Sequence, residues 1–148
     1  MIRTRKGKLL IACGVVVFLL VSGLLARWLS LENIERDDIV TLLQAEARGD
    51  ANAMLAQLHG CDRHCRANVL GDARRLKRAG QVLILADQSQ TAYSLTSTVG
   101  DTRIAWKATG NRFPVVQCVR VERSGNVLSG LVIRLLTVSV PIPDTADC

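Results

Sequence analysis

"LLQAEARGDANAMLAQLHGCD", residues 42–62, reads as an apolar helix, a break at Gly49 and Asp50, and a second short helix. Outward to the N-terminal side, "ENIERDDIVTLLQAEARGD" (32–50) places Ile39, Leu42, Leu43 and Ala47 at spacings of three and four, the stripe of a helix with one buried face. Asp37 and Asp38 fall early in that segment, where a helix dipole favours acids. Asp50 is set to cap the next helix, with Ala51, Met54, Leu55 and Leu58 inward. A third helical segment, 62–79, gathers Val69, Leu70, Ala73 and Leu76 on one side, although Gly71 costs it about 1 kcal/mol, and Gly80 is placed to close it with a left-handed cap.

From Gln81 the apolar period changes from helical spacing to two. "QVLILAD" (81–87), "TAYSLTSTV" (91–99), "TRIAWKAT" (102–109), "FPVVQCVRVER" (113–123) and "VLSGLVIRLLTVSV" (127–140) read as strands, with turns expected at Gly100-Asp101 and at Ser124-Gly125-Asn126. Helices first and hairpins afterward predict an α+β domain, its helices packed on one face of a curved antiparallel sheet.

Upstream of the domain, "MIRTRKGK" carries Arg3, Arg5, Lys6 and Lys8, and residues 9–26 follow without a charge. Eighteen residues at ~1.5 Å each come close to the ~30 Å of a bilayer's hydrocarbon. Arg27 and Trp28 suit the headgroup layer, and the excess of cations ahead of the run predicts a cytoplasmic N-terminus. The expected organisation is a basic flank and transmembrane helix over 1–28 and one extracytoplasmic domain over 29–148, in the cell membrane as a single-pass protein. Two alternatives fit less well. Leu10, Ile11, Ala12 and Cys13 resemble a lipobox but have only Leu9 between them and Lys8, and "LLA" before Arg27 is a poor signal-cleavage site.

The formal charge of +6 does not mark a nucleic-acid binder. Five of the 19 basic residues precede Leu29, leaving 14 to face all 13 acidic ones. The one remaining cluster, Arg74, Arg75, Lys77 and Arg78, closes a helix, where cations complement the dipole, and no aromatic residues are interleaved with it. No nucleic acid is expected as a partner, and no motif calls for a cofactor.

The order of elements around "LLQAEARGDANAMLAQLHGCD" resembles the nuclear transport factor 2-like superfamily, also called cystatin-like or SnoaL-like, over roughly residues 32–142. The resemblance implies a cone-shaped domain with a pocket between helices and sheet. That superfamily includes isomerases, cyclases, epoxide hydrolases, binding domains and membrane-anchored parts of secretion or transport assemblies, so the fold does not choose a function. In layout the chain looks most like the anchored members, which work through protein contacts.

Candidate chemistry is sparse. Within the pocket Tyr93 and Asp87 are the candidates, but Tyr93 shares a strand face with Leu95, Ser97 and Val99, and Asp87 opens a turn, "DQSQ". Neither belongs to a catalytic motif, and no catalytic residue is assigned. "HGCDRHC" (59–65) has a density suited to a metal, but closed zinc sites draw on two separated knuckles, and no metal is assigned. Cys61, Cys65, Cys118 and Cys148 are even in number and come after the apolar run, which favours disulfides. Residues four apart on a helical turn have Cα atoms roughly 6 Å apart, so Cys61 pairs with Cys65. With a tight turn at 124–126, Cys118 lies opposite Ile133; the eight residues of "PIPDTADC" reach roughly 27 Å, enough to return Cys148 to Cys118 across the outer sheet face. In the last strand Leu131, Ile133 and Leu135 point one way and Leu128, Val132, Leu136, Val138 and Val140 the other, so both faces are apolar. The reading is a membrane-anchored binding or assembly module that meets a protein partner or a second copy through its outer sheet face. The alternative is a small-molecule enzyme or ligand carrier using the pocket.

Overall fold

The computed structural model describes residues 5–90, 98–126 and 130–148, without the side chains of 5, 6, 8–10, 27–32, 126, 130 and 131. Three helices precede four strands: α1 (Arg5–Arg48), α2 (Ala51–Gln57), α3 (Arg63–Arg75), β1 (Val82–Ser89), β2 (Thr98–Ala108), β3 (Val115–Asn126) and β4 (Gly130–Val138). The strands form one antiparallel sheet in the order β1-β2-β3-β4, so the domain is α+β. Contacts divide the chain into Met1–Ile34 and Glu35–Cys148.

In the first unit, Ile11, Val15, Val16, Val17, Phe18, Leu19, Leu20, Val21, Leu24 and Leu25 are all exposed on helix. Among the described residues no helix is long and apolar enough to cross a membrane. The expected span, 9–26, lies partly outside the residues whose side chains are described, since these begin again at Ile11.

In the second unit the expected stripes are buried. Ile39, Leu42, Leu43 and Ala47 of α1, Met54 of α2, and Val69 and Ala73 of α3 join Ile104, Trp106, Val119 and Val121 of the sheet in one core. Asp50 caps α2, its carboxylate accepting from the Ala53 N–H at 3.0 Å, and Gly49 supplies the positive φ of 75° that the break needs. Three details differ from expectation. Because α1 begins at Arg5, Asp37 and Asp38 stand inside a helix instead of in its first turn. Partial burial, and next the Asp37 charge, push the Asp38 carboxyl above its ordinary value against a smaller pull from His59. Helix α3 ends at Arg75 with Leu76 as its cap, so Gly80 (φ 105°) does not cap it; a Cβ there would lie 2.8 Å from the Thr109 carbonyl oxygen. Leu70 is exposed.

The sheet departs further. Gly100 and Asp101 are not a turn but pair with Val121 and Arg120 inside β2, and Gly100 has no positive φ. The expected strand 91–99 falls outside the described residues except for Thr98 and Val99, which begin β2. Ser124, Gly125 and Asn126 likewise continue β3, opposite Val132, Leu131 and Gly130. Glycine at either site suggested a turn; cross-strand pairing prevailed.

On β4 the alternation breaks. Thr137 faces Arg120 and Leu135 faces Val121, leaving Leu136 as an extra residue, a β-bulge that reverses the facing of the residues after it. Val138, expected outside, is therefore in the core beside Leu135, at 3% and 2% exposure. Val138→Lys is predicted to destabilise the fold by at least about 3 kcal/mol, because an ammonium would be buried without a partner. Urea denaturation checks this; an unchanged midpoint would remove Val138 from the core.

Candidate functional site

The stretch 59–65 stands where α2 gives way to α3. Leu58 forms a parallel bridge with Leu135, and the His59 N–H donates to the Leu135 carbonyl at 2.7 Å, which fastens this segment to the free edge of β4. Asp62 then caps α3, accepting from the Cys65 N–H at 2.8 Å. Cys61 is bonded to Cys65 with 5.3 Å between Cα atoms, and His59 and His64 are exposed. His64 Nδ1 lies 3.4 Å from the Asn68 amide nitrogen. Among the described residues no three metal-binding side chains converge.

Beside this turn is a cleft of about 390 Å³. Asp62, His64 and Asn68 line its helical side, and Asp101, Arg120, Thr137 and Ser139 its sheet side. Both signs of charge are present, together with hydroxyl and amide groups. Such a lining suits a polar ligand or a polar stretch of chain. Asp87 is elsewhere: it lies in β1 opposite Ile104 and is exposed, so it does not open a turn. Tyr93 lies outside the described residues.

The second disulfide joins Cys118 to Cys148, 5.8 Å apart at Cα. Cys118 is opposite Ser139 rather than Ile133, the Ser139 N–H donating to the Cys118 carbonyl at 2.8 Å, because β3 runs past the expected turn. The return path is therefore shorter than reach required. The Ile142 N–H donates to the Val116 carbonyl at 2.8 Å, and Arg103 donates through Nε to the Ala146 carbonyl at 3.0 Å and through Nη2 to the Asp144 carbonyl. The tail thus crosses the outer sheet face, where Ala105 and Val116 are buried.

Beneath the sheet's other face are charges that local sequence does not announce. Arg123 Nε donates to Glu35 Oε2 at 2.8 Å and its Nη2 to Glu35 Oε1 at 2.5 Å, with Thr102 donating to Oε1 at 3.1 Å and Ser89 accepting from Arg123 at 3.0 Å. Glu35 and Arg123 are 5% and 2% exposed. Farther along, Gln117 donates to Glu46 Oε1 at 2.9 Å and accepts from the Trp106 ring N–H at 2.7 Å. The signal was present in the pattern: Glu35, Ile39, Leu42 and Glu46 repeat at helical spacing, and Gln117, Val119, Val121 and Arg123 at strand spacing. Both acids and both of their partners lie on faces that must be buried.

The fold and its cross-links define a class: helices followed by a four-stranded antiparallel sheet, closed by two disulfides that point to an oxidising, extracytoplasmic setting. No known protein family, curated protein or solved structure matches the chain.

Loop-closure entropy sets the expected cost of removing each disulfide: about 4 kcal/mol for the double alanine variant at Cys118 and Cys148, about 2 kcal/mol at Cys61 and Cys65. Equal losses in denaturant titrations would contradict this ranking. Arg123→Ala is expected to cost about 3–5 kcal/mol by stranding the Glu35 carboxylate, and the paired replacement Glu35→Leu with Arg123→Met far less.

Proposed function

We propose that this protein is a single-pass, membrane-anchored module whose extracytoplasmic domain binds or assembles with other proteins. The observation that carries the reading is the exposed apolar helix surface from Ile11 to Leu25, which no charged residue interrupts. Water would make such a surface costly, whereas lipid accepts it on every side. The basic residues ahead of it favour a cytoplasmic N-terminus, and the disulfides fit a domain on the opposite side.

A nuclear transport factor 2-like, cone-shaped domain remains the family reading, supported by the turn at 49–50 between two helices and the antiparallel sheet that comes after them. The interior between the described helices and sheet is filled by Trp106, Gln117, Met54 and Val69, which favours a surface-acting module over a ligand carrier. Leu83, Val99 and Val132 alternate with the buried positions of their strands and remain half exposed. They are the part of the outer face offered to a protein partner or second copy, and the polar cleft beside α3 is the second contact region.

Alkaline carbonate extraction of membranes tests the anchor: the chain is expected to stay in the pellet, and release into the supernatant would overturn it. Site-specific crosslinking from position 132 in intact membranes tests the face. Crosslinks to a defined protein or to a second copy are expected, and Val132→Lys should abolish association while leaving the denaturation midpoint within about 0.5 kcal/mol of the parent.

A further inference from the structure

Helix α3 has two unlike sides. Cys65, Val69, Asp72 and Ala73 are buried, whereas Arg63, Arg66, Leu70 and Arg74 are exposed. At about 100° per residue these four exposed positions fall within an arc of about 80°, and from Arg63 to Arg74 the stripe runs about 16 Å, or about three turns. Asp72 is completely buried and Asp62 is the N-cap, so no acid of α3 lies on that side. Arg75 donates to the Gly71 carbonyl at 3.4 Å and Arg78 to the carbonyls of Arg75 and Lys77 at 3.3 and 3.2 Å. Arg63, Arg66 and Arg74 have no hydrogen-bond or ion-pair partner for their side chains among the described residues.

The stability of the helix does not account for this stripe. Arg74, near the C-terminus, complements the dipole, but the first turn favours acids, and here it holds Arg63 and Arg66 with no acid. Nor does either arginine have an acid four residues on, where Ala67 and Leu70 stand. Leu70, among the arginines, is 45% exposed. The face works against its own helix and is complementary to an anionic one.

We propose that the outer face of α3 docks an acidic amphipathic helix of a partner protein, its carboxylates meeting Arg63, Arg66 and Arg74 and an apolar side chain meeting Leu70. The chemistry of the stripe selects that occupant. Guanidinium groups pair bidentately with carboxylates, and a row about three turns long matches a helix laid alongside. A nucleic acid would set Leu70 against phosphates, and α3 has no aromatic side chain for bases to stack on. An anionic lipid surface draws on several apolar side chains sunk among its headgroups, and Leu70 is the one large apolar residue exposed on α3. The inference rests on the reading of the domain as a protein-binding module and adds to it a surface on the helical layer.

The test uses the full chain in phosphatidylcholine nanodiscs and, as probe, a fluorescent helical peptide of glutamate and alanine with one central leucine. Fluorescence anisotropy should show saturable binding that weakens as salt rises. Arg63→Glu with Arg74→Glu is expected to weaken it about tenfold or more and to shift the preference to the matching lysine peptide, and Leu70→Ser to weaken it about fivefold. Arg63→Glu alone should leave the unfolding midpoint equal or higher, since an acid suits the first turn; a lower midpoint would make Arg63 a structural residue and overturn its role here. No binding by the parent, no loss on charge reversal, or tighter binding of a DNA duplex or of soluble short-chain phosphatidylglycerol also overturns the proposal. In intact membranes, crosslinks from position 67 should map to an acidic segment of the partner. Crosslinks from position 132 with none from 67 sink this inference and leave the binding reading standing, and none from either removes both.

Discussion

Gln117 is the side chain on which the most distant parts of the domain converge. Completely buried on β3, it donates to Glu46 of α1 and to the Ser139 carbonyl after β4, and accepts from Trp106 of β2. A buried amide left unsatisfied costs about 1–3 kcal/mol for each missing bond, so α1, β2 and the chain leaving β4 must all meet this point. The Arg123–Glu35 pair repeats the demand at the other end of β3. On α1 the two acids are eleven residues, about 16 Å, apart; on β3 their partners are six residues, about 20 Å, apart. The spans differ by about 4 Å, a gap that the long arginine, glutamine and glutamate side chains bridge, and a further slip of one helical turn, about 5.4 Å, would strain both pairs. Polar pairs thus set a register that Ile39, Leu42 and Leu43 alone would set less sharply.

The outer face of the sheet is handled differently. A short tail, tied by Arg103 and closed by Cys118–Cys148, covers Ala105 and Val116 but leaves Leu83, Val99 and Val132 uncovered. The disulfide keeps the covering in place at little conformational cost to the folded state, which suits a small domain outside the reducing cytosol. Beside β4, Cys61–Cys65 holds the turn into α3, so β4 is bounded by one cross-linked turn and followed by another cross-linked segment. The polar cleft between them is framed by both constraints.

Legibility tracked the range of the forces involved. The three helices, the Gly49–Asp50 break and the period change at Gln81 could be read because each is decided within a few residues, by spacing, capping or β-branched runs. The pairing of the cysteines could also be read, although the supporting register was wrong: Cys118 faces Ser139, which makes the same closure easier. The turns were misplaced because glycine permits a turn without requiring one, and cross-strand hydrogen bonds kept Gly100 and Gly125 inside strands. The facing of Val138 was misread because alternation holds only until a bulge, and the bulge at Leu136 is set by the neighbouring strand.

By itself, then, the sequence determined the local elements, the charge-free N-terminal run, and which cysteines lie within reach. Only the tertiary structure decided the pairings of Glu35 with Arg123 and of Glu46 with Gln117, across sequence separations of 88 and 71 residues. It also left Glu46 Oε2 and both Asp72 carboxylate oxygens buried without a donor among the described residues. A period places an acid on a buried face, but its protonation and its partner depend on what other elements present there, and that is settled when the layers pack.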